Sequence, residues 1–395
     1  MATLTGRLIY VGVVALATAV FVIRDAYVAA YAGPAPRRAA AIWPDHPQVL
    51  LSKALTDIGL AAVKRKPPPP AALVDIGRAA RIAPLGHDAF LVRGVAAEQA
   101  GDLRRAERAF SAARLRAPRE AGPRYFLSEL YLRTGRGADG LRELATLARL
   151  LPNGSEIVAP SLAAYATSSG DIAGLKAAFR NHPDLERRVL IELAKDPSNA
   201  DLAMRLASRM REPDGSAVDW VRVILPKLVK AGQVEHAYRL WDAVDGESGK
   251  GLLFNPSFRP SKAPPPFNWT YRSDSTGFAE GNGKGGLHVL FYGREDSVLA
   301  NQTLLLPPGR YRLAMKVDGN PGGMLRWSLT CLPSTAELFA LELGASAQTK
   351  PAIHFIVGSG CPAQLLELKG RAGEMARQVD ITISRLTLTE GSYGQ

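Results

Sequence analysis

The sequence predicts a multidomain chain: an N-terminal transmembrane helix, then an all-α solenoid of helical hairpins, then a C-terminal all-β antiparallel sandwich. Three observations carry this. Leu8 to Ile23 is an uninterrupted apolar or small run, and from His87 small and aromatic residues recur at offsets suited to paired antiparallel helices. After Gly246, Gly, Pro and Asn rise and helical periodicity gives way to alternation. A chain of 395 residues has room for two or three such domains, each with its own core.

The first run reads LIYVGVVALATAVFVI and is bracketed by Arg7 and Arg24. It is a little shorter than the ~20 residues that cross a bilayer, and snorkelling arginines with the AYVAAYA that follows supply the difference. Residues 1–32 are therefore expected to form a membrane anchor. The rival is a cleaved signal segment, with Ala30 and Ala32 at A-x-A spacing before Gly33. Arg24 and Asp25 lengthen the stretch before that site, which favours the uncleaved anchor, and both readings place the remainder outside the cytoplasm. Arg37 and Arg38 follow as closely as Arg7 precedes, so charge alone does not orient the segment. Of the net charge of +12, +8 lies in residues 1–120. That distribution points to an anionic membrane surface before nucleic acid, and no zinc-finger, RNP or helix-turn-helix signature accompanies it.

Trp43 to Ala62 reads as one helix with a stripe of Leu51, Leu55, Ile58 and Ala62, stopped by KRKPPPP, and Ala72 to Ile82 supplies its partner. In His87 to Glu120, Phe90, Gly94 and Ala97 fall on a first helix, Gly101 at the turn, Ala106, Phe110 and Ala113 on a second, and Pro118 at the exit. Ser128, Tyr131, Gly135, Gly140, Leu144, Leu147 and Pro152 repeat those offsets. Tyr165 and Gly170 keep the rhythm, and Val218 to Gly251 returns to it with Gly232, Ala237 and Trp241. This spacing resembles the tetratricopeptide repeat. The resemblance implies stacked hairpins over residues 43–245 that hold a protein partner on a concave face and perform no chemistry. Leu91, Val95, Glu98, Tyr125, Glu129 and Leu132 on the inner helices are the partner-binding candidates. They lack a Lys/Asn/Arg carboxylate clamp, so an apolar or mixed peptide is the expected ligand.

In residues 251–391, the alternating sets are Leu287, Val289 and Phe291; Tyr311 to Val317; Leu325 to Cys331; Ile353 to Val357; and Val379 to Ile383. Gly- and Pro-rich turns separate them, as in an antiparallel sandwich. The elements N-x-x-F at Asn255 to Phe258, P-F-N-W at Pro266 to Trp269, GLHVLFYG, and NQTLLLPPGRYRL at Asn301 to Leu313 resemble a carbohydrate-binding-module type jelly roll. Such domains occur behind tetratricopeptide repeats in bacterial exopolysaccharide and capsule systems. Many have an acidic residue after the N-x-x-F phenylalanine, near a structural calcium; here it is Arg259, so no metal site is carried over. Trp269, Tyr271, Arg272 and Tyr292 are the glycan-binding candidates, because sugars need flat aromatic faces with polar neighbours. Closing the sandwich ends is the competing role for the same aromatics. Cys331 and Cys361, the only cysteines, suit a disulfide in an exported domain.

No HExxH motif, glycine-flanked nucleophilic serine or framed pair of carboxylates stands out, so no reaction and no cofactor are expected. The two resemblances imply a single-pass protein of the bacterial inner membrane, its bulk periplasmic, acting as a scaffold in polysaccharide assembly or export. A structural envelope protein whose sandwich caps the solenoid, and an accessory subunit of a carbohydrate-active enzyme, are the alternatives.

Overall fold

The computed structural model describes residues 2–391 apart from 246–250, 345–349 and 374–376. The described chain divides into two compact units at Leu185/Glu186. The expected helix-to-strand boundary at Gly246 lies outside the described residues.

The first unit begins with α1 (Ala2–Tyr31), whose Ile9–Tyr31 stretch is long and apolar enough to cross a membrane. Its last turns are part of a folded core: Val28 and Ala32 are buried with Ala39 of α2 (Pro36–Ile42) and Val49 of α3 (Pro47–Val63). Helical pairs follow: α3 with α4 (Pro70–Ile82), α5 (Asp88–Gln99) with α6 (Leu103–Arg116), and α7 (Ala121–Arg133) with α8 (Gly137–Leu150), after which α9 (Gly154–Ser169) and α10 (Ile172–Phe179) both pack on α8. Gly101, Gly135 and Gly170 make the turns from α5 to α6, α7 to α8 and α9 to α10 in the left-handed region, spaced by about the 34 residues of one repeat. Asp102 and Asp171 cap the helices that follow by accepting from Arg105 and Gly174 N–H.

The hairpin contact expected at Gly94 is present. A Cβ there would lie 2.3 Å from the Phe110 ring, so only glycine lets α6 bring that ring onto α5. Phe110 also stacks on Phe126 of the next hairpin, with centroids 5.1 Å apart. A buried carboxylate joins the same hairpins: Glu143 of α8 pairs with Arg114 of α6 and, at 2.7 Å, with Arg124 of α7. On α3 the stripe is rotated from the expected one. Leu51 and Ile58 are buried, but Leu50, Ala54 and Ala61 join them while Leu55 and Ala62 face solvent. The small side chain of Ala54 admits the Ala-rich face of α4 (Ala72, Ala79), which the larger Leu55 would hold off.

The second unit contains most of α11 (Pro183–Leu193), then α12 (Ala200–Leu206), α13 (Asp219–Lys230), α14 (Val234–Asp245) and the sandwich. Gly232 turns the α13–α14 hairpin, and Ala237 and Trp241 are buried as their offsets require. Trp241 Nε1 donates to the Pro264 carbonyl at 2.7 Å, and its ring meets Phe254 and Phe267.

The sandwich has two antiparallel sheets. One orders β1 (Thr270–Tyr271), β5 (Ser297–Leu304), β10 (Ala363–Gly370), β7 (Leu325–Leu332) and β8 (Glu337–Glu342) side by side. The other orders β2 (Ser273–Asp274), β3 (Gly277–Gly281), β4 (Gly286–Phe291), β11 (Val379–Glu390), β6 (Gly309–Gly319) and β9 (Ala352–Val357). All the alternating sets point inward, Leu287, Val289, Val317, Leu325, Trp327 and Ile383 completely so, with only Ile353 partly exposed. Cys331 at the end of β7 is bonded to Cys361, with Cα atoms 5.5 Å apart, so the expected disulfide ties β7 to the crossing from β9 to β10.

Candidate functional site

At the β1 edge, the loop Asn255 to Pro265 and the β1 segment enclose a cavity of about 370 Å³. The loop is held by its own asparagines. Asn255 donates to the Arg259 carbonyl at 2.7 Å and accepts from its N–H at 2.9 Å, while Asn268 donates to Ala263 O and accepts from Trp269 N–H. Phe258 takes a left-handed backbone, unusual for a bulky residue, with its ring in the core. A Cβ at Gly281 would lie 1.9 Å from the Phe258 carbonyl oxygen, so that glycine is what lets β3 pass the loop.

Trp269 and Tyr271 both line this cavity, but they differ in role. Trp269 is 4% exposed: its ring packs on Phe258 and Trp327, and its Nε1 donates to Asn255 O at 3.0 Å. Of the two roles open to it, this candidate closes the sandwich end: it is the floor of the cavity and not an exposed platform, because the asparagine-clamped loop folds over it. Tyr271 is 36% exposed, and burial of the rest of its ring pushes its hydroxyl up to about 12. Its hydroxyl and the Arg259 guanidinium, also on the lining, have no partner among the described residues.

Arg272 stands where the chain leaves one sheet for the other. Its N–H donates to Leu299 O, its Nε to Val298 O at 3.0 Å, and its guanidinium pairs with Asp274. Two hydrogen bonds from Thr276, with Arg272 alongside, hold the Asp274 carboxyl down to about 2. The structure thus assigns Arg272 to bracing the sheet switch. Tyr292 follows β4, where its N–H donates to Thr276 O at 3.0 Å; it is half-buried and not on the cavity lining. Of the four candidates, two meet in one cavity. Arg259, whose departure from the carbohydrate-module pattern was visible in sequence, is the residue not foreseen as a contact.

The solved structures similar to this chain include carbohydrate-binding modules. One is a family 4 module, at 12% identity and TM-score 0.28, matched over 35% of this chain and 99% of that one. Another is TmCBM61 in complex with β-1,4-galactotriose, at 19% identity and TM-score 0.25, matched over 36% and 100%. A third is a family 16 carbohydrate-binding module, at 16% identity and TM-score 0.23, matched over 29% and 86%. The sequence matches no protein-family model and no curated protein.

In the first unit, Leu91 and Val95 are half-buried against the Phe110 cluster, and Leu132 packs beside Gly140. Glu98 pairs with Arg133, linking α5 to α7. Tyr125 and Glu129, one turn apart on α7, remain exposed. A second concavity, about 410 Å³, lies between α8 and α10, lined by Leu141, Arg142, Ala145, Arg149, Ala177 and His182 among others. Burial and Arg149 lower the His182 pKa, which favours the neutral ring.

Proposed function

We propose that this chain is a non-catalytic, exported adaptor of the bacterial inner membrane. In this reading α1 is an uncleaved single-pass anchor, tetratricopeptide-type hairpins hold a protein partner around Tyr125 and Glu129, and the sandwich contacts an acidic glycan in polysaccharide assembly or export. The observation that carries the glycan half is the β1-edge cavity. A pyranose offers flat C–H faces to a half-exposed phenol ring, and the carboxylate of a uronate offers the two oxygens that a guanidinium fork takes. Export is supported by the disulfide, a bond that persists in oxidising compartments. The uncleaved anchor is supported by Ala32, which is buried in a helical core rather than presented as an extended cleavage site.

The test is binding of the purified full chain to immobilised uronate-bearing and neutral polysaccharides. Retention on the uronate polymers, lost on Tyr271→Ala and weakened by added salt or Arg259→Gln, is the expected result. No retention on either class removes the glycan from the function. A structural reading would then lead, and one observation already favours it as the second choice. Trp241 of the last helical hairpin is buried against the loop that precedes β1, as a sandwich capping a helical array requires.

A further inference from the structure

We propose that the cleft between α1 and α2 binds an anionic phospholipid, its phosphate at Arg24 and its upper acyl chain against the apolar walls. The inference rests on the reading that α1 spans a membrane. The cleft, about 340 Å³, is lined by Val20, Ile23, Arg24, Tyr27 and Ile42. Leu8 to Ile23 is ~24 Å long at about 1.5 Å per residue, short of a hydrocarbon core of roughly 30 Å. The bilayer therefore reaches past Ile23 and brings this cleft to the level where acyl chains meet headgroups.

The charges fit that level. Arg24 lies 4.3 Å over the Trp43 ring and gives its Nε–H to the Ile42 carbonyl at 3.1 Å, which leaves its remaining donors without an acceptor among the described residues. The adjacent carboxylate, Asp25, is turned to His46 at 3.5 Å. Arg37 and Arg38 are exposed on α2 and likewise have no carboxylate partner among the described residues. The Arg24 guanidinium on the lining of an apolar cleft, with Arg37 and Arg38 exposed on the helix that ends at Ile42, matches a phosphodiester above an acyl chain, a pairing that an acidic peptide or a free phosphate leaves half unfilled. Trp43 meets Phe21 edge-on at 5.6 Å, and the Tyr27 and Tyr31 rings pack tilted at 4.5 Å, so aromatic rings sit where a membrane interface holds them.

The experiment reconstitutes the full chain into nanodiscs of phosphatidylcholine with and without phosphatidylglycerol, and counts lipids retained after transfer to detergent by native mass spectrometry. Wild type is expected to keep phosphatidylglycerol in preference to phosphatidylcholine. Arg24→Gln should weaken that retention roughly five- to tenfold, and Arg24→Lys less. Ile42→Asp, which spares the backbone carbonyl used by Arg24, should weaken it too. Brominated lipid should quench a fluorescence component that Trp43→Phe removes. Equal retention of both lipids, or retention indifferent to Arg24→Gln and Ile42→Asp in chains that enter the nanodiscs, overturns the lipid site while leaving the anchor standing. A chain that stays out of the nanodiscs overturns both.

Discussion

Single residues decide three things in this molecule: whether two hairpins stay joined, whether the sheet switch holds, and whether the cavity stays open. Glu143 is 5% exposed between two arginines, so Glu143→Ala strands two partly buried guanidinium groups. Removing one member of a buried ion pair costs about 3–5 kcal/mol, and the loss should appear as an earlier loss of helicity in denaturant. An unchanged midpoint would mean that solvent reaches the pair. Asp274 gives a pH test. Its folded pKa is depressed to about 2 against an ordinary value near 3.9, so its contribution is present above pH ~4 and is lost as pH falls through about 2. Carboxyl NMR of the full chain should show Asp274 still ionised near pH 3, and Thr276→Val should bring its midpoint back toward the ordinary value. At this scale the sequence was least informative. Trp269 precedes and Tyr271 ends a two-residue strand, too short for alternation to say which of them is covered, and the cover is a loop whose asparagine clamps leave no periodic trace.

Elements were more legible, because their periods repeat. The glycines at the turns of α5–α6, α7–α8, α9–α10 and α13–α14 and the inward sets of the sandwich stand where the spacing put them. The α3 stripe was displaced because three or four apolar residues on an Ala-rich helix define a face only to within one neighbour; contact with α4 then selects the smaller side chains. Two substitutions test the element contacts. Gly94→Ala puts a methyl 2.3 Å from the fully buried Phe110 ring, and the forced separation of α5 and α6 should cost about 1–3 kcal/mol in a thermal melt followed by helicity. Gly281→Ala meets the Phe258 carbonyl instead of a flexible side chain, so the loop must move. It should lower sandwich stability and expose Trp269, read as a red-shifted, more quenchable fluorescence. A Gly281→Ala protein indistinguishable from wild type would mean that the loop is not held where the cavity needs it.

For the whole molecule, the chain joins a helical unit that begins in an apolar helix to a unit that ends in a disulfide-bonded sandwich. The disulfide was legible in sequence from two cysteines placed near strand ends. Closing a loop of 30 residues, it should contribute roughly 3–4 kcal/mol by chain entropy, so reductant should lower the melting of the second unit and leave the first unchanged. Phosphatase fused after Gln395 should be active if the bulk is periplasmic. The central claim, an anchored adaptor that touches acidic glycan, is tested most directly by flotation of proteoliposomes carrying the full chain with a labelled uronate polysaccharide outside. The account predicts that wild-type vesicles carry the polymer to the top of the gradient and that Tyr271→Ala vesicles rise with the protein but without it. Wild-type vesicles that rise bare, or a Tyr271→Ala chain that carries the polymer equally well, would contradict the account.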